Sequence, residues 1–274
     1  MADRLQGKRT LPKLSIVTPS LNQAEFLERT MRSVLDQGYP NLEYIVIDGG
    51  SSDGSVDIIR QFEDRLAFWV SEPDGGQAQA INKGLRRASG DFIGWQNSDD
   101  IYYPDAFARF AAAVARRPDV DLVIGDINLV DARDTVVREM RYVRPTYRSL
   151  LAEGMVLTNQ AAFWRRSLHD AVGWLDESLH YGFDYEWFLR LLRATDRAAH
   201  VSALMGALRY HEDTKTSRQQ AKFDEEYAAI RSGRSVSTAT RRYFQLRRLA
   251  LTLMDGKWSY VARGIARRLT GGGS

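Results

Sequence analysis

The chain has 274 residues, 44% of them hydrophobic and 27% charged, with 38 Lys and Arg against 35 Asp and Glu. That length and apolar fraction support a sizeable core, as one large domain or one domain with an appendage, and exclude a disordered chain. There is no cysteine, which excludes disulfides and thiolate metal sites, and no stretch reaches the roughly 18 consecutive apolar residues of a membrane span. The first thirteen residues are polar and lack an apolar signal core, so the expected setting is cytoplasmic, in solution or on the inner face of a membrane. Residues 271–274 read as a linker or expression scar and are left out of the fold argument.

In chain order, short β-rich runs alternate with helical patterns, the signature of stacked βα units and a largely parallel sheet. Strands are predicted over 14–18, 42–47, 66–70 and 91–95. Between them Phe26, Met31, Val34 and Leu35 keep helical spacing, as do Val56, Ile58, Ile59 and Phe62, and residues 78–88 supply a third helix. A helix over 104–115 opens with Pro104 near its first turn, and 120–124 reads as a buried strand. Further on, a strand over 160–164, a helix over 185–193 and a strand over 201–210 complete the expected domain, residues 1–212. A basic helical extension follows over 213–270.

Polar loops follow the predicted strands: Pro19-Ser20-Leu21-Asn22, Asp48-Gly49-Gly50-Ser51-Ser52-Asp53-Gly54, Glu72-Pro73-Asp74-Gly75-Gly76-Gln77 and Asn97-Ser98-Asp99-Asp100. In an open α/β sheet all four sit beyond the carboxyl ends of the strands, where ligands bind. Glycine lets backbone approach a ligand, and carboxylates accept hydrogen bonds from base or ribose. Any one loop alone reads as ordinary turn chemistry; four on one edge read as a site. Adjacent hard oxygen ligands in the last loop suit a divalent cation gripping a diphosphate.

The strings Ser15-Ile16-Val17-Thr18-Pro19-Ser20-Leu21-Asn22, Val46-Ile47-Asp48-Gly49-Gly50-Ser51-Ser52-Asp53-Gly54, Ala80-Ile81-Asn82-Lys83-Gly84 with Ala88-Ser89-Gly90-Asp91, and Asn97-Ser98-Asp99-Asp100 together closely resemble a family 2 glycosyltransferase with the GT-A fold. The resemblance runs on through Phe183-Asp184-Tyr185-Glu186-Trp187 to Arg209-Tyr210-His211. It implies a Rossmann-like, mostly parallel central sheet flanked by helices. It also implies inverting transfer of a sugar from a nucleoside diphosphate sugar, UDP-linked by preference, to a glycan or lipid-linked acceptor, with Mn²⁺ or Mg²⁺ at the diphosphate. By the same resemblance Asp184 is the general base and Asp99 and His211 are metal ligands. Pro19, Ser20, Asn22, Asp48, Asp74, Asn82, Asn97 and Asp99 meet the nucleotide sugar, with Asp100 and Glu186 as further candidates.

Two departures from the family pattern stand out. Asn97 replaces the commoner carboxylate at the first motif position, which leaves metal coordination resting on Asp99. Gly49 stands where many relatives carry a second aspartate that contacts the base. Two other functions compete: a nucleotide-sugar-binding protein without turnover, and a metal-dependent nucleotidyltransferase, which releases pyrophosphate. His169, His180 and His200 carry no motif and take the structural reading, and Trp187 reads as core.

The basic balance is local. Between residues 241 and 269 eight Lys and Arg stand against Asp255, a net +7 that leaves −4 elsewhere. Tyr243, Leu246, Ala250 and Leu253 recur at helical spacing among these cations. That pattern suits a helix lying on an anionic membrane and equally one packed on the domain with a solvated basic face. With no recognition motif beside the cations, nucleic acid is not an expected partner.

Overall fold

The computed structural model describes residues 11–210 and 220–269. Its N-terminal half alternates β1 (Leu14–Ser20), α1 (Ala24–Leu35), β2 (Leu42–Asp48), α2 (Ser55–Gln61), β3 (Phe68–Ser71), α3 (Gln77–Leu85) and β4 (Phe92–Trp95). These four strands pair in parallel in the order β3-β2-β1-β4, so their carboxyl ends share one edge. All of β1 is buried, as a strand covered by helices on both faces must be. On α1 the buried set Phe26, Leu27, Thr30, Met31, Val34 and Leu35 forms one stripe against the sheet.

Beyond β4 the sheet becomes mixed. β5 (Ile101–Tyr102), α4 (Ala106–Arg116), β6 (Leu122–Val130), β7 (Val136–Met140), α5 (Tyr147–Glu153), β8 (Ala162–Arg165), α6 (Arg166–Val172), α7 (Phe183–Ala194) and β9 (Ala198–Arg209) follow. The full strand order is β3-β2-β1-β4-β8-β6-β9-β5, with β7 paired to β6. β8 runs antiparallel to β4 and β6, and β5 antiparallel to β9, whereas β6 and β9 are parallel. The predicted helix over 104–115 starts instead at Ala106, because Asp105 takes a left-handed turn at φ 65°. The strand expected from residue 160 starts at Ala162, since Asn159–Ala161 form a 3-10 turn.

Trp95, Trp164, Trp187 and Phe188 pack ring on ring where β4, β8 and α7 meet; the Trp164–Trp187 centroids lie 4.6 Å apart. Trp187 is fully buried, as a core residue. His169 is buried against Trp174 and Trp187, and burial pushes its pKa down to about 4, which keeps it neutral.

The C-terminal helices α8 (Gln220–Arg231), α9 (Thr238–Met254) and α10 (Trp258–Leu269) pack on this body. Phe244 and Thr252 are the buried side of α9, which lies on α5, where Arg248 pairs with Glu153 at 3.2 Å. Lys257, just ahead of α10, pairs with the fully buried Asp126 of β6. That carboxylate also takes Arg141 at 3.1 Å, His200 Nε2 at 2.8 Å and the Tyr142 backbone N–H at 2.9 Å. Removing one member of such a set strands the others without water, so it fixes the extension in one place.

Candidate active site

The loops after β1, β2, β3 and β4 meet at the carboxyl edge of the parallel strands. Pro19 and Ser20 end β1, and Ser20 is buried with its hydroxyl unpartnered among the described residues. Asn22 adopts φ 52° and its Oδ1 accepts the Ser52 N–H at 2.9 Å, tying the first loop to the second. Asp48 is fully buried and organises its own loop: it accepts Gly50 N, Ser51 N, Ser51 Oγ and, from β3, Ser71 Oγ, all within 3.0 Å.

Gly49 and Asp74 explain each other. A Cβ on Gly49 would lie 2.8 Å from Asp74 Oδ2, so the Asp74 carboxyl occupies the space where a side chain at position 49 would begin. Its other oxygen accepts the Gly76 N–H at 2.9 Å, ahead of α3. A carboxylate of the third loop thus lies directly beside the second.

The Asn97–Asp100 turn hangs between β4 and β5 and is held from three sides. Thr30 Oγ1 of α1 contacts the Ser98 and Asp100 carbonyls at 2.9 and 2.7 Å. Asp100 is buried and accepts from Gln160 Nε2 at 2.7 Å, the Arg209 N–H at 2.8 Å and Asn97 Nδ2 at 3.0 Å. Burial, and then the neighbouring Asp99, push its pKa well above the usual carboxylate range. Asn97 Oδ1 accepts from Gln77 Nε2 at 3.0 Å, which links the turn to α3. Arg209, buried at the end of β9, donates from Nε to the Asp99 carbonyl at 2.7 Å and meets Asp134 at 2.6 Å.

These contacts test the motif as a metal site. Both polar atoms of the Asn97 amide are engaged, and Asp100 is enclosed and pushed toward its neutral form. Asp99 alone of the three keeps a partly exposed carboxylate, a hard oxygen donor suited to Mg²⁺ or Mn²⁺. No group of three His, Cys, Asp or Glu able to hold a metal occurs among the described residues. His211 lies outside the described residues.

Asp184 sits in the first turn of α7, whose N-cap is Gly182, so it is not the cap. Its Oδ1 accepts the Tyr185 N–H at 2.6 Å. Although the residue keeps some accessible surface, protein encloses its carboxyl, and burial pushes the pKa from 3.8 up to about 6. Glu186 is committed elsewhere: Arg190 grips it at 2.8 Å and also holds the Val172 and Trp174 carbonyls. Asn82 is fully buried, with its amide spent on the Leu175 backbone at 2.9 Å in both directions and on Glu177 at 2.8 Å. It works as a clamp between α3 and the loop that leads to α7.

That clamp joins the two halves of the site. One cleft is lined by Gly75, Gly76 and Gln77 from the donor side and by Glu177, His180 and Phe183 from the segment leading into Asp184. His180 therefore faces the cleft, whereas His169 and His200 are packed into the body. Arg209, Gln160 and Gln77 were not singled out from the sequence. Arg209 lies within the Arg209-Tyr210-His211 string, but the two glutamines had no signal beyond their neighbours. Gln96, fully buried where β4 ends, also has both amide atoms unpartnered among the described residues.

The model for "Glycosyl transferase family 2" matches residues 15–173. Curated relatives include an uncharacterised glycosyltransferase of Mycobacterium tuberculosis, 35% identical over 65% of this chain and 68% of its own. The putative teichuronic acid biosynthesis glycosyltransferase TuaG of Bacillus subtilis is 40% identical over 34% of this chain and 38% of its own. Among solved structures, S. aureus TarS 1-349 in complex with UDP-GlcNAc superposes with a TM-score of 0.68 at 18% identity, covering 85% of this chain and 70% of that one. The mannosyltransferase PcManGT from Pyrobaculum calidifontis, in complex with GDP-Man and Mn²⁺, gives 0.57 at 17% identity over 94% and 87%. The chain has the GT-A fold and belongs to glycosyl transferase family 2.

Proposed function

We propose that this glycosyltransferase moves a sugar, with inversion, from a nucleoside diphosphate sugar to an acceptor hydroxyl in building a cell-surface polysaccharide or glycolipid. The observation that carries the reading is Asp184: a carboxyl beside a cleft that the donor-side loop also lines, with a pKa of about 6. A base whose pKa lies near working pH is ionised and still basic enough to take a proton. Asp184 removes the proton of the acceptor hydroxyl as that oxygen attacks the anomeric carbon, the bond to the diphosphate oxygen breaks, and the nucleoside diphosphate leaves. Attack on the face opposite the leaving group inverts the anomeric centre.

On the donor side Asp74, Ser20 and Asn22 are offered to base and ribose, and Asp48 shapes the second loop, against which Asn22 and Asp74 rest. The neighbours crystallised with UDP-GlcNAc and with GDP-Man support a nucleotide-sugar donor; UDP remains our preference for this chain. Asp99 would hold the divalent cation, which when bound neutralises the charge growing on the leaving diphosphate. Asn97 and Asp100 keep the Asp99 turn in place. The TuaG relative supports an acceptor of the cell-wall polysaccharide class.

The outer side of α9 and α10 fits an anionic membrane surface. Tyr243, Leu246, Met254 and Trp258 are 61%, 66%, 81% and 65% exposed, and Arg241 and Arg242 lie exposed beside them on α9. Aromatic and aliphatic side chains set among arginines are what an interfacial helix presents to acidic lipid. No described helix is long and apolar enough to cross a membrane.

The donor assignment is tested by thermal unfolding with UDP-, GDP- and dTDP-sugars, each with and without Mn²⁺. A UDP-sugar is expected to raise the midpoint most, and more with the metal. No response to any donor would refute the reading.

A further inference from the structure

Helix α8 covers the turn that delivers Asp184. Its half-buried residues Phe223, Glu226, Tyr227, Ile230 and Arg231 fall on one helical face, and that face meets residues 180–185. Glu226 accepts three successive backbone N–H groups, from His180 at 3.0 Å, Tyr181 at 2.8 Å and Gly182 at 2.7 Å. One carboxylate thus fixes the backbone leading into α7. Gly182 makes room for the approach: a Cβ there would fall 2.8 Å from Ile230 Cδ1. One turn along α8, Tyr227 stacks on Tyr185, with centroids 4.7 Å apart and planes at 21°. Arg231 donates to the Tyr185 hydroxyl at 2.9 Å, and that hydroxyl donates to the Leu150 carbonyl of α5.

We propose that α8 positions the catalytic base: Glu226 sets the 180–182 turn and Tyr227 roofs Asp184, making both positioning residues for sugar transfer. This rests on Asp184 being the base. It goes beyond that assignment because residues 220–231 lie outside the segment matched by the family model. The roof adds to the enclosure of Asp184, since Tyr227 stacks on the next residue, Tyr185. Burial, and then the Asp184 carboxylate, push the Tyr227 pKa up; Tyr185, Arg231 and Glu226 are the other titratable groups around its hydroxyl. From α5 the cluster receives a backbone carbonyl.

The test uses the full chain and two kinds of readout. In Mn²⁺-supported hydrolysis of the UDP-sugar that protects best, Glu226→Ala is expected to lower kcat about tenfold or more with donor KM within about twofold. Glu226→Gln, which keeps an acceptor oxygen, should recover most of that loss. Independently of turnover, ¹³C NMR of the Asp184 carboxyl should show it titrating at about 6 in the wild type and moving toward 3.8 in Tyr227→Ala. Tyr227→Phe, which keeps the roof, should stay near the wild-type value. Since the base works ionised, the acid limb of kcat should move to lower pH in Tyr227→Ala. Wild-type kcat in Glu226→Ala, a loss that Glu226→Gln fails to rescue, or an unmoved Asp184 titration in a folded Tyr227→Ala would overturn the proposal. Asp184→Asn run alongside separates the two readings. A variant that keeps turnover removes the base assignment, whereas an inactive one beside a fully active Glu226→Ala removes only the role of α8.

Discussion

In the proposed reaction Asp184 and Asp99 divide the work at the reacting bond, one on the acceptor side and one at the diphosphate. Because burial holds Asp184 near 6, the rate of transfer should rise with pH through that value and fall away below it as the base protonates. Asp184→Asn is expected to lower kcat by about 10²–10⁴-fold while donor still protects the protein from unfolding. Gly49→Ala is a finer probe. The new Cβ meets only the end of a flexible side chain, so the fold should hold while Asp74 is displaced and donor KM rises. An unchanged KM would remove Asp74 from the donor site. At this scale the loop residues were legible because they follow β-rich runs, and Asp184 was legible because the family resemblance singles it out. Arg209 and Gln160 were not, because what they do depends on β9 and the 159–161 turn arriving beside Asp100. Asn82 shows the converse limit: its motif points to the donor, yet its amide is closed in on the loop across the cleft.

At the scale of elements, the site depends on how α1, β9 and the β6–β7 turn grip the 97–100 turn. Arg209 binds the Asp99 carbonyl, the Asp131 carbonyl and Asp134 at once, with its head fully buried. Arg209→Ala removes the side-chain donor to the Asp99 carbonyl, although Asp134 keeps Arg29 and the Asp131 carbonyl keeps the Asp134 N–H, and should cost about 1–3 kcal/mol of stability read from the denaturant midpoint, with donor protection weakened as well. A midpoint within error of the wild type would show the grip to be incidental. The parallel half of the sheet was legible because βα alternation has a clear period. Helices α5 and α6 were missed although α2 is as short: α2 stands framed between two clear strands, whereas α5 and α6 lie where the pattern is mixed, and α5 is started by a Thr146–Ser149 capping box. Mixed pairing beyond β4 has no sequence signal either: β8 enters between β4 and β6, and only the folded chain brings those strands together.

Over the whole molecule, the exposed apolar and basic side chains of α9 and α10 form the surface proposed to meet a membrane. The Asp126–Lys257 cluster fixes the extension to the sheet, so the exposed side of α9 and α10 is held in a set orientation to the cleft-bearing body. Vesicles containing acidic phospholipid should co-sediment with the protein, whereas neutral phosphatidylcholine vesicles should not. The double charge reversal Arg241→Glu/Arg242→Glu should weaken that binding by about 2–4 kcal/mol, since each basic residue contributes about 1 kcal/mol and each reversal doubles the change. Equal binding of both proteins would remove the membrane surface from the account. The central claim is inverting transfer with Asp184 as base, and one experiment reaches it directly. The protein and its Asp184→Asn variant are incubated with an α-linked UDP-sugar and Mn²⁺, and the anomeric signal and released nucleotide are followed by NMR. The account predicts UDP and a β-configured product from the wild type, and bound but intact donor with the variant. An α-configured product or full turnover by the variant would contradict it.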